Sequence, residues 1–177
     1  DYGQLIQSGV SCLIIGRPNV GKSSLLNQIL GHDRSIVTSQ AGTTRDFVDA
    51  TIQLKGVSVK IFDTAGMRQT DNEIEREGID KIEGLIGRSD VVFWVCDGSE
   101  RFSEDDQKIY EKIRDCDCVI KVVNKSDKDQ QIVFPGEIEG LRSVSISAKS
   151  GEGISELKQK IITECIEKVE NRNLELI

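Results

Sequence analysis

A chain of 177 residues, 37% hydrophobic and 30% charged, can bury one sizeable core and does not divide comfortably into two. That composition excludes a disordered chain, and no apolar run approaches the length of a bilayer span, so no membrane role is expected. Acidic residues outnumber basic ones 30 to 23, giving a formal charge of −7, so the domain as a whole repels nucleic acid and any RNA contact is expected through another domain or partner.

Val10 to Gly16 is a short apolar run ending in glycine and predicts a strand; Lys22 to Leu30 has helical spacing. Thr51 to Leu54 and Val57 to Phe62 flank Lys55-Gly56 and suit a hairpin of undetermined turn type. Apolar residues recur at Ile74, Ile79, Ile82, Leu85 and Ile86, predicting a helix over Glu73 to Ile86. Val91 to Val95 and Val119 to Val123 are near-continuous apolar runs, the pattern of strands covered on both faces. Glu104 to Ile113 between them reads as a helix, Ser143 to Ser147 as a shorter strand, and Ile154 onward as a terminal helix. Strands alternating with helices predict an α/β fold: a mostly parallel six-stranded sheet with one antiparallel edge strand, and helices on both faces. Residues 1–170 read as one domain, and the charged, uncapped tail 171–177 as the way into a domain that this chain lacks.

Five cysteines, Cys12, Cys96, Cys116, Cys118 and Cys165, are an odd number and fit neither a disulfide framework nor a zinc ribbon. A reducing, cytoplasmic setting is the simple expectation, with Cys116 and Cys118 as ordinary thiols near a strand start. The chain begins at Asp1 with no signal-peptide pattern, and it reads as a fragment of a longer protein. The single histidine, His32, reads as a surface residue near a helix end.

Gly16-Arg17-Pro18-Asn19-Val20-Gly21-Lys22-Ser23 matches G-x-x-x-x-G-K-[ST] between a buried strand and a helix start, where a phosphate-binding loop belongs. Glycines let successive N–H groups converge on a β-phosphate and the helix N-terminus adds its positive end, so Asn19 to Ser24 are the candidate phosphate contacts. Lys22 can reach the β- and γ-phosphates, and the Ser23 hydroxyl can ligate Mg²⁺. Asp63-Thr64-Ala65-Gly66 ends the second hairpin strand; Asp63 is placed to hold Mg²⁺ through water and Gly66 to sense the γ-phosphate. Alone, such a D-x-x-G is usually a turn. The polar loop Thr38, Ser39, Gln40, Ala41, Gly42, Thr43 and Thr44 lies between helix and hairpin, and Thr44 is assigned to complete the Mg²⁺ shell.

Asn124-Lys125-Ser126-Asp127 follows the buried strand Val119 to Val123 and opens at the same carboxyl edge. A carboxylate at Asp127 can accept from the N1–H and amine of guanine, whereas adenine has no N1 proton to offer. Sites built to pair such groups reject a mismatched ligand by roughly 10⁴-fold or more. The Lys125 stem is expected over the base, Asn124 to tie this loop to the phosphate loop, and Ser147-Ala148-Lys149 to present the Ala148 N–H to guanine O6. An ATPase reading finds no support in the base motif.

With four motifs in this order, the sequence resembles the translation-factor-like branch of small GTPases, Ras-like P-loop NTPases, over essentially its whole length. Within that branch it is similar to the G domains of the MnmE (TrmE) family of tRNA-modification GTPases. The narrower likeness rests on GRPNVGKSSLLN at Gly16 to Asn27, GTTRD at Gly42 to Asp46, and above all DTAGMRQTDNEIEREGI at Asp63 to Ile79. Era- and Der-type ribosome-assembly relatives share the first two elements and differ after DTAG; they are the alternative, alongside a GTP-gated interaction module.

The resemblance implies hydrolysis of GTP to GDP and phosphate with Mg²⁺, in service of a modification at C5 of the wobble uridine of tRNA. It implies an FAD-dependent partner, MnmG, and tRNA contact through folate-binding and helical domains not contained in this chain. The family's C-terminal cysteine motif also lies outside it. Met67 stands where many GTPases place a water-orienting glutamine, and the resemblance points instead to Glu75, acting through a bridging water. Read from the residues alone, Glu75 is a solvated helix-face carboxylate. With no arginine finger evident, the resemblance implies K⁺ held by Asn19 and by carbonyls of Thr38, Gln40 and Thr43, accompanying homodimerisation of G domains across their nucleotide faces.

Overall fold

The computed structural model describes residues 9–31, 48–64 and 81–174. Strand β1 (Val10–Gly16) leads into helix α1 (Lys22–Gly31); β2 (Val48–Leu54) and β3 (Val57–Asp63) form a hairpin; residues 81–88 are helical (α2). There follow β4 (Val91–Asp97), α3 (Glu104–Ile113), β5 (Val119–Asn124), the short α4 (Gly136–Glu139), β6 (Ser143–Ser145) and α5 (Ile154–Leu174).

The six strands form one sheet in the order β2-β3-β1-β4-β5-β6, parallel except for the edge strand β2, which runs antiparallel to β3. This is the architecture the sequence pattern predicts. Strand neighbours alternate sides, so each central strand feeds two cores. Cys12, Ile14, Phe93, Val95, Ile120 and Val122 pack toward Leu25 and Ile29 of α1 and Leu157 and Ile161 of α5. Leu13, Ile15, Val92, Trp94 and Cys96 pack on the other face with Leu85 and Ile86 of α2, Tyr110 and Ile113 of α3, and Ile138 of α4. All seven residues of β4 are buried, which explains the unbroken apolar run from Val91 to Cys96 ahead of Asp97.

The hairpin turn is resolved by backbone angles: Lys55 (φ 48°) and Gly56 (φ 84°) are both left-handed, the requirement of a type I′ connection. β2 begins at Val48, three residues before the predicted start, with a register shift between Val48 and Ala50. Of the helix predicted over Glu73 to Ile86, residues 73–80 lie outside the described residues. Helix α3 has the predicted bounds because Ser103 and Asp106 form a capping box, each side chain accepting from the other's backbone N–H. α4 was not predicted: it is one turn, without a side-chain cap, and exists to bury Ile138.

The predicted end of β6 is corrected as well. β6 stops at Ser145 instead of Ser147, because the Ser147 N–H donates to the Glu152 carbonyl at 2.9 Å and turns the chain out of the ladder. α5 continues to Leu174. Among the described residues no helix is long and apolar enough to cross a membrane.

Candidate guanine-nucleotide site

β1 and β3 end side by side, Ile14 paired with Asp63, and β4 and β5 end together, Asp97 paired with Asn124. Four loops therefore open at one edge of the sheet.

In the loop from β1 to α1, Gly21 has φ 102° and a side chain there would strike Asn124 Nδ2, so only glycine fits on both counts. Lys22 is buried, its Nζ donating to the carbonyls of Gly16 (2.7 Å) and Arg17 (2.6 Å). Ser23 and Ser24 are exposed at the first turn of α1, where the helix dipole is positive. A cleft of about 480 Å³ is lined by Asn19, Gly21, Lys22, Ser23, Ser24 and, from across the site, Lys125. Asp63 is buried at the end of β3, and the neighbouring Thr64 hydroxyl donates to the Ile14 carbonyl at 3.1 Å, fixing the two strand ends together.

Asn124 joins three loops. Its Nδ2 donates to the Val20 carbonyl at 2.8 Å, and its Oδ1 accepts the Ala148 N–H at 2.9 Å. The second bond gives the Ala148 N–H, the sequence candidate for guanine O6, an acceptor on Asn124. The Ala148 carbonyl in turn accepts from Gln28 Nε2 at 2.9 Å, anchoring that loop on α1. Lys125 is left-handed (φ 66°), and its ammonium bonds the Asn19 carbonyl at 3.0 Å and Asp97 Oδ2 at 2.6 Å. Asp127 is exposed, with Oδ1 accepting from the Ser147 hydroxyl at 2.8 Å. That bond first, then a backbone N–H bond and the positive charges of Lys149 and Lys128, outweigh desolvation and hold its carboxyl below the usual range.

A cradle of left-handed and glycine backbone above a helix N-terminus, with a carboxylate held by Ser147 in the loop that follows β5, suits a purine nucleotide carrying phosphates. The family described as 50S ribosome-binding GTPase matches residues 11–131, from β1 through the base loop. The chain belongs to that GTPase family. It is a GTP hydrolase.

Within the family, the chain is 42% identical over 161 residues to the tRNA modification GTPase MnmE of Geobacter metallireducens, covering 91% of this chain and 35% of that protein. The MnmE of Aquifex aeolicus is 42% identical over 160 residues, 90% of this chain and 35% of that protein. The chain thus spans about a third of the length of the curated relatives it matches. Among solved structures, a variant of Aquifex aeolicus Era bound to GDP·AlF₄⁻ superposes with a TM-score of 0.66 at 28% identity, covering 87% of this chain and 56% of that one.

Of the residues singled out from sequence, Asn19 to Ser24, Asp63, Thr64, Asn124, Lys125, Asp127 and Ser147 to Lys149 converge on this edge. Thr38 to Thr44, Ala65, Gly66 and Glu75 lie outside the described residues. Sequence reasoning missed Arg17, Asp97, Glu100 and Asp106. Arg17 Nε lies 3.0 Å from Asp106 Oδ1 and its Nη2 3.1 Å from Glu100 Oε2. Burial works against the guanidinium's charge, but Asp106 and Glu100 outweigh it and hold the group above its ordinary value. The only available hint was the acidic residues that follow β4 and open the helix read over Glu104 to Ile113.

Proposed function

We propose that this GTPase serves tRNA modification at C5 of the wobble uridine, as the G domain of a longer cytoplasmic protein acting with an FAD-dependent MnmG-type partner and contacting tRNA through other domains. One observation carries the reading: identity to MnmE proteins is 42% across nine-tenths of the chain, against 28% for the Era structure. The net charge of −7 supports leaving tRNA contact to other domains.

Within the site, Lys22 would bind the β- and γ-phosphates and Asp127 the guanine edge, with Asn124 keeping the two loops in register. The Ser23 hydroxyl and the Asp63 carboxylate, with Thr44, are hard oxygen donors of the kind Mg²⁺ takes. When bound, Mg²⁺ supplies charge that offsets the triphosphate. Asn19, an exposed loop amide, with the carbonyls of Thr38, Gln40 and Thr43, would form an oxygen cage suited to K⁺. When bound, K⁺ supplies the positive charge that an arginine finger gives elsewhere. Glu75 would orient the attacking water through a second water, and two G domains would pair across their nucleotide faces in the GTP state.

Turnover in K⁺ against Na⁺, beside light scattering with a γ-phosphate analogue, tests the mechanism. K⁺ alone should accelerate hydrolysis and produce dimers, Glu75→Ala should keep dimerisation while losing turnover, and Asn19→Ala should lose the K⁺ response. Equal rates in the two cations would overturn it. Salt-sensitive binding to ribosomal particles by the full-length protein, without recovery of an FAD protein, would favour ribosome assembly instead.

A further inference from the structure

We infer that Arg17 is a positioning residue: gripped by Asp106 and Glu100, it fixes the loop carbonyl that aims Lys22 at the nucleotide phosphates. An ammonium on a four-carbon stem has three rotatable donors and takes its direction from the acceptors around it. Two of those acceptors are the carbonyls of Gly16 and Arg17. Gly16 is the last residue of β1 and is paired with Val95 in the ladder, so its carbonyl is set by the sheet. Arg17 lies beyond the ladder. Its backbone is constrained by Pro18 behind it and by its own side chain, which reaches away from the cleft to α3.

The receiving end is rigid. Asp106 is fully buried, and its second oxygen, Oδ2, accepts from both the N–H and the hydroxyl of Ser103 at 2.9 Å, completing the cap of α3. The carboxylate that caps the helix is thereby the one that holds the phosphate loop. Glu100, from the connection between β4 and α3, takes the other side of the guanidinium. A planar fork held by two carboxylates resists rotation in a way a single point charge does not. The Arg17 guanidinium is absent from the cleft lining, so its influence on the nucleotide runs through its own carbonyl and Lys22.

This inference rests on the reading of Lys22 as the phosphate-binding lysine, and the experiment separates the two. GDP affinity and the ³¹P spectrum of bound GDP at saturation are measured for Arg17→Ala, Asp106→Asn, the double variant, and Lys22→Ala. Arg17→Ala should weaken GDP roughly tenfold, the scale of one well-placed charge-assisted contact. It should also shift the β-phosphate resonance while leaving the α-phosphate in place, which a loss of stability alone would not do. The double variant should bind GDP no more weakly than Arg17→Ala, since both changes break one linkage. If Arg17→Ala does not fold because Asp106 is left buried without its partner, the double variant removes that charge and carries the same two readouts. An unmoved β-phosphate resonance with affinity within about twofold of the parent overturns the inference, as do effects that simply add in the double variant. Lys22→Ala binding GDP like the parent would overturn the phosphate-site reading itself.

Discussion

The Lys125 ammonium bridges Asp97 at the end of β4 and the Asn19 carbonyl in the phosphate loop, at 2.6 and 3.0 Å. One side chain thus fixes the spacing between the loop that reads the base and the loop that holds the phosphates, and its left-handed backbone is the strain that this reach requires.

Asp97 makes that bridge pH-dependent. Burial acts to raise its carboxyl, but bonds from Lys125 and Ser99 outweigh burial and hold it below the ordinary carboxylate range. A carboxyl whose folded value is depressed stabilises the fold above its unfolded value, about 3.9, and loses that contribution as pH falls through the folded value. Asp97→Asn should therefore flatten the acid arm of the stability curve below about pH 4 and lower the plateau at neutral pH. Urea midpoints measured across that range check it, and parallel curves for parent and variant would rule the bridge out as a source of acid sensitivity.

Asn124→Ala and Asn124→Asp should both destabilise, for different reasons. Alanine leaves the Val20 carbonyl and the Ala148 N–H without their partner in a buried place, at about 1–3 kcal/mol per unsatisfied group. Aspartate still accepts from Ala148 but turns an acceptor toward the Val20 carbonyl. Thermal midpoints should fall in both variants, and GDP release should quicken, because the phosphate and base loops lose their common tie. Parent-like midpoints would show that the three loops hold themselves in place.

How much of this was legible beforehand follows from the range of the interactions. The sheet could be read because its signals are local: β4 is buried and apolar from Val91 to Cys96, and the hairpin turns on Lys55-Gly56, though its I′ type emerges only from the backbone angles. The phosphate and base loops could be read because their residue types recur at fixed spacings. Arg17 with Asp106 could not, since 89 positions separate them and each alone looks like an exposed charge. Lys121 is similar: inside an apolar run it looks like an error, yet it is buried with its ammonium 3.9 Å from the Phe134 ring and 3.0 Å from the Ile138 carbonyl. The Ala148 bond was missed because a backbone N–H has no sequence signature, and its choice between Asn124 and a base is decided only by geometry.

Gly21→Ala should disable the nucleotide site through Asn124. At φ 102° an alanine is strained by about 1–3 kcal/mol, and its Cβ meets the Nδ2 that bonds Val20. Pairing it with Asn124→Ala removes the clashing group, so the double variant should lose less stability than the sum of the single losses. Thermal unfolding of the three proteins measures that coupling. Strict additivity would mean that backbone strain alone, and not the contact with Asn124, forbids a side chain at 21.

Asp127 should decide which purine is bound, and Ser147 should decide over what pH range it does so. The carboxylate is exposed and needs its charge to accept from the two donors on the guanine edge; the Ser147 hydroxyl, 2.8 Å away, supports the charged form. Asp127→Asn presents an amide donor where guanine also presents one, so GTP affinity should fall and xanthosine triphosphate affinity should rise. Ser147→Ala leaves the carboxylate in place but removes the bond that favours its ionised form, so its pKa should move up toward the ordinary value. GDP binding by Ser147→Ala should then be lost at a higher pH than in the parent as the solution is acidified, with little difference near neutrality. Competition titrations with GDP and xanthosine diphosphate from about pH 7 to about pH 4 read both effects in one series. If the acid limbs of the parent and Ser147→Ala coincide, Ser147 orients Asp127 without tuning it; if Asp127→Asn keeps its preference for guanine, the base is read by some other group.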